Sequence, residues 1–126
     1  MPPVKMKILI LLLLVSIPFS CSKPPANNNI LSCSISYTIS NPLSKDQQVQ
    51  YQAVVSGAGG TISSVSYLDS AGTTTVQNPL LPLIVYVNLK KGTLASISAK
   101  GTAYMGGQII IYIKADSTQN GYACSN

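Results

Sequence analysis

VQYQAVVSGAGGTISSVSYLDSAG, from Val49 to Gly72, carries the clearest structural signal in the chain. Val49, Tyr51, Ala53 and Val55 alternate with Gln48, Gln50 and Gln52, the period of two expected of a half-buried strand. After SGAGG, Val65 and Tyr67 carry a second apolar face between serines. Glycines in that turn accept positive φ, and DSAG repeats the device after Leu68. The stretch reads as two strands joined by a glycine-rich hairpin turn and closed by a second turn.

The same alternation runs outward in both directions. CSISYTI sets Cys33, Ile35, Tyr37 and Ile39 against Ser34, Ser36 and Thr38, and SNPLSKD breaks it. TTTVQN reads as a short polar edge strand. Prolines 79 and 82 kink the start of LPLIVYVNL, whose core face is Leu83, Val85, Val87 and Leu89. Beyond the KKG turn, Ala95, Ile97 and Ala99 point inward. After YMGG, the most apolar strand sets Ile109, Ile111 and Ile113 on one face and Ile110 and Tyr112 on the other. Seven strands about a dozen residues apart predict an all-β, seven-stranded immunoglobulin-like β-sandwich.

The amino terminus has a different character. MPPVKMK is basic, and Ile8 to Ile17 is an unbroken apolar run. That run is too short for a bilayer span of about 20 residues and fits a secretory signal peptide. Pro18-Phe19-Ser20-Cys21 places a small residue before a cysteine and resembles the lipobox of bacterial lipoproteins. The resemblance implies cleavage before Cys21, a diacylated thiol and an acylated new amino group, hence a membrane partner through a lipid anchor. Ser22-Lys23 contains no acid, which by the same resemblance favours the outer membrane facing the periplasm over the cell surface. The expected organisation is signal peptide 1–20, lipidated tether 21–32 and sandwich 33–126, the tether stiffened by Pro24-Pro25.

The cysteine count agrees with that plan. Cys21, Cys33 and Cys124 are an odd number for an exported chain; lipid on Cys21 leaves Cys33 and Cys124 for a disulfide. With no histidine and no CxxC spacing, a metal or redox site is not expected.

A second resemblance spans Val49 to Asp116. Val49, Tyr51, Val55, Gly57, Tyr67, Gly72, Leu81-Pro82, Lys91-Gly92, Ala99 and the run Ile109–Ile113 form a pattern similar to the mycobacterial membrane protein small (MmpS-type) family. In that family a membrane-anchored β-sandwich accompanies large transporters of the resistance-nodulation-division class. The resemblance implies a transport-accessory role and a transporter partner, with lipid here replacing a transmembrane anchor.

Charge and chemistry narrow the remaining options. The formal charge is +5, but two of the eight lysines lie in the leader and only Lys90-Lys91 are adjacent, so nucleic-acid binding is not expected. Asp46 and Asp69 fall in turns and Asp116 at a strand end, positions where carboxylates cap their own backbone. The chain therefore reads as non-enzymatic and without cofactor. Two classes stay open: an envelope accessory or interaction module, and a ligand-binding surface lipoprotein for a small molecule or glycan. Tyr86, Tyr104 and Tyr112 lie off the main apolar faces and are the candidate surface contacts. Their clustering on one face favours ligand binding; their scatter favours the interaction module.

Overall fold

The computed structural model describes residues 30–126. Cys21 and the expected signal peptide lie outside the described residues. Eight strands follow in order: β1 (Ile30–Thr38), β2 (Gln47–Gly57), β3 (Gly60–Asp69), β4 (Gly72–Gln77), β5 (Leu83–Leu89), β6 (Ser96–Tyr104), β7 (Gly107–Ala115) and β8 (Thr118–Ser125). They form two four-stranded antiparallel sheets, ordered β1-β6-β3-β4 and β5-β2-β7-β8, with no helix among the described residues. Thr73 to Gln77 of TTTVQN lie in β4, at an edge as expected.

Among the described residues there are eight strands where seven are expected. β8 is polar and contains Gly121, so alternation does not announce it. The turn before it is also disguised: Asp116 and Ser117 both have positive φ, 51° and 65°, where Asn-Gly or Asp-Gly is the usual signal. β1 also starts earlier than the expected domain boundary, because Ile30, Leu31 and Ser32 pair with Tyr104, Ala103 and Thr102.

The reading of Val49–Gly72 as a hairpin is corrected. β2 pairs with β5 and β7, whereas β3 pairs with β4 and β6, so the glycine turn is a corner where the chain changes sheet. The turn between β6 and β7 makes the same change, and the two corners lie against each other. Ala58 N–H donates to Gly106 O at 3.1 Å, and Tyr104 N–H donates to Gly59 O at 3.0 Å. Such contact leaves no room for side chains. A Cβ on Gly107 would lie 2.0 Å from Gly59 O, and one on Gly57, at φ 67°, would lie 2.5 Å from Gly106 O.

The core forms between the sheets where alternation places it. Val49, Tyr51, Ala53, Val65, Ile97, Ala99, Ile109, Ile111 and Ile113 are buried in one cluster. Tyr51 donates its hydroxyl to Leu68 O at 2.7 Å, which satisfies the polar tip of an otherwise buried ring. Tyr67 packs beside it, with ring centroids 5.3 Å apart. At the end opposite the glycine corners, buried Leu43 plugs the sandwich, its N–H bonded to Thr93 O and its C=O to Gly92 N–H. The expected disulfide is present: Cys33 on β1 and Cys124 on β8 have Cα atoms 6.0 Å apart and join the two sheets along one edge.

Candidate functional site

The outer faces of the two sheets differ in chemistry. On the β1-β6-β3-β4 sheet, register aligns Ser36, Ser98, Ser66 and Thr75 in one row across four strands. The Ser66 and Thr75 hydroxyls are 2.8 Å apart, so part of this hydroxyl row satisfies itself. The other sheet turns outward Gln50 and Gln52 from β2, Ile84 and Tyr86 from β5, and Tyr112 and Lys114 from β7. Gln50 is paired with both Tyr86 and Lys114, and Gln52 with both Ile84 and Tyr112.

The three candidate tyrosines therefore divide. Tyr86, 57 % exposed, and Tyr112 share that outer face, on opposite sides of the glutamine strand. Tyr104 belongs to the other sheet, at the tip of β6 opposite Ile30. A depression of about 230 Å³ adjoins Tyr86 and is lined by Gln48, Gln50, Lys114 and Asp116. It is smaller than the roughly 300–1,000 Å³ common for small-molecule sites. A second, of about 340 Å³, lies at the Leu43 end among Tyr37, Asn41, Asp116 and Asn120.

Asp116 borders both depressions, and its hydrogen bonds define what it can do. Its carboxylate accepts from the Ser44 hydroxyl, from Ser44 N–H at 3.2 Å and from Gln47 Nε2 at 2.7 Å. Its own N–H donates to Gln47 Oε1 at 2.8 Å. The Ser44 hydroxyl, followed by Gln47, holds the carboxyl below its ordinary range. Asp116 thus braces the β7–β8 turn against the segment leading into β2. Asp69 is similarly engaged: Thr74 hydroxyl, then Ala71 N–H, lower its pKa. Asp46 accepts from Lys91 N–H at 2.7 Å. Each carboxylate organises a turn, as Asp does in such positions.

Cys33 and Cys124 meet in the disulfide, whereas Cys21 lies outside the described residues. Among the described residues no group of three or more His, Cys, Asp or Glu is placed to hold a metal ion. The arrangement offers amides, hydroxyls and two phenols on open faces, together with an unshared strand edge. β5 is one of four such edge strands, with β1, β4 and β8, and is paired on one side only, with β2. From Leu83 to Leu89 it contains no charged residue and leaves Ile84 and Tyr86 exposed. Periodicity identified the strand but not its place at an edge, since edge position depends on which distant strand pairs with which. No protein-family model, curated protein or solved structure matches the chain.

Proposed function

We propose that the chain is a non-enzymatic, lipid-anchored lipoprotein of the cell envelope whose sandwich is an accessory or interaction module. The observation that carries the anchor is the Cys33–Cys124 disulfide. It occupies both cysteines of the folded part and leaves Cys21, directly after Ser20, as the remaining thiol of an odd set. The division of Tyr86 and Tyr112 from Tyr104 favours the interaction role. The free β5 edge suits it, because an extended segment of a partner can add to such an edge by main-chain hydrogen bonds.

In this reading the protein is of MmpS type, a transporter accessory on the outer membrane facing the periplasm. The sandwich is of immunoglobulin-like type. Support for that assignment comes from two facing antiparallel sheets and from consecutive strands that change sheet at the β1–β2, β2–β3, β4–β5, β5–β6 and β6–β7 connections. A second reading, a ligand-binding surface lipoprotein, draws on Tyr86 and Tyr112 sharing a face beside the Gln50 depression.

Metabolic labelling with an alkyne palmitate tests the anchor: wild type should be marked and Cys21→Ser should not. Equal labelling of the two sinks the proposal. Crosslinking and pull-down from native membranes then separates the roles. Recovery of a transporter supports the accessory reading, and recovery of a glycan or small molecule supports the second.

A further inference from the structure

We propose that the glycine-corner end of the sandwich seats on the lipid bilayer, so that the domain stands tip-down on its membrane. This rests on the reading of Cys21 as a lipid anchor. The corner brings together the start of β1, the β2–β3 turn, the β6–β7 turn and Asn126 after β8, which accepts from Gly106 N–H at 3.0 Å and donates to Gly107 O at 3.0 Å. Beside polar Ser125 and Asn126, it exposes an apolar group: Ile30 is 55 % exposed, Tyr104 41 % and Met105 61 %, with Leu31 and Ala58 next to them. Met105 occupies the tip of a tight turn, where polar residues usually satisfy the backbone and water.

Charge is distributed the opposite way. Among the described residues the corner holds no charged side chain. Lys45, Asp46, Asp69, Lys90, Lys91 and Asp116 lie in or beside the loops at the Leu43 end, and Lys114 is one residue from the end of β7. Lys100 is the nearest charge along the strands, four residues before Tyr104 on β6, or roughly 13 Å at strand spacing. Aromatic and apolar side chains with no charged side chain among them are the composition favoured at the boundary between headgroups and acyl chains.

Tether length selects the bilayer as the occupant. Only residues 22–29 separate Cys21 from Ile30, a reach of at most about 30 Å when fully extended. β1 then carries the chain a further ~30 Å away from the corner. An anchored protein therefore reaches the membrane with its corner while the tether is slack. Seating the charged end instead requires the tether to run fully extended along the domain's side. Lipid retains the protein, and the tip fixes its orientation, two signals that act together on one surface. The charged loops and the full length of the β5 edge are then presented away from the bilayer.

The test uses the full chain purified from membranes and reconstituted into vesicles of phosphatidylethanolamine and phosphatidylglycerol that contain nitroxide-labelled lipid. An environment-sensitive fluorescent amino acid replaces Ala58 at the corner in one protein and Ser70 at the opposite end in another. Quenching at position 58 should be several-fold greater than at 70. Adding Tyr104→Ser and Met105→Ser should bring position 58 down to the level of 70. Equal quenching at both positions overturns the proposal, as does quenching indifferent to Tyr104 and Met105. A blue shift at 58 that grows with protein concentration without vesicles also overturns it, by showing that a second copy covers the tip. Palmitate on Cys21 is read separately: label without quenching removes only the tip proposal, and quenching without label removes only the anchor.

Discussion

Cys33 and Cys124 stand 91 residues apart in sequence, yet their bond ties β1 of one sheet to β8 of the other at the open edge of the sandwich. Closing a loop of that size removes conformational freedom chiefly from the unfolded chain, worth about 4–5 kcal/mol in the chain-entropy model. Replacing both residues by serine should lower unfolding free energy by about 2–5 kcal/mol, the common range for a native disulfide. Urea denaturation of oxidised protein against the double variant measures it. Equal midpoints would show that the cross-link adds nothing to stability.

Ile111 and Lys114 test the period of β7. Ile111 is fully buried between the sheets, whereas Lys114 projects from the opposite face. Ile111→Ala should cost about 2–5 kcal/mol through lost transfer energy and the cavity left behind. Lys114→Ala should change stability by no more than about 0.5 kcal/mol. Near-equal shifts in urea midpoint would contradict the facing of this strand.

Alkaline pH should destabilise the fold through Tyr51. Burial, the largest influence, pushes its phenol from 10.0 up to about 12. The neutral phenol is therefore favoured in the folded state, so its contribution is complete below pH 10 and is lost as pH rises through 12. The magnitude is of the order of 2–3 kcal/mol. Tyr51→Phe should flatten the fall in stability between those values, while sacrificing the bond to Leu68 O. Denaturation midpoints across that window, with ultraviolet titration of tyrosinate, check it; parallel pH profiles for the two proteins would exclude Tyr51 as the source.

Local alternation made the core legible. Tyr51, Ile97 and Ile111 face inward because strands with a clean period of two have one possible buried face. The fate of Gly57–Gly60 was not legible, since a glycine turn between two alternating strands has the same local composition in a hairpin and in a sheet-changing corner. Only pairing with Gly106 and Gly107, nearly fifty residues later, distinguishes them. β8 escaped because Asn120 and Gly121 interrupt its pattern at an exposed edge. Of the candidate contacts, Tyr86 and Tyr104 are exposed and Tyr112 is half-buried. The sharing of a face by Tyr86 and Tyr112, and the separation of Tyr104 from it, depend on strand order. Residues 1–29, with Cys21, lie outside the described structure.

The stacked glycine corners also bear on how the chain reaches this state. Only β3–β4 and β7–β8 pair with an immediate neighbour in sequence; every other ladder joins segments separated by at least one further strand. Gly57 must find Gly107 across half a hundred residues before either corner has its partner. Loop-closure entropy is therefore spent early and recovered late, which places such topologies among the slower single domains, with folding times of roughly milliseconds to seconds. Until β5 pairs with β2, both of its edges are open. The interval before that encounter is when a chaperone would matter most.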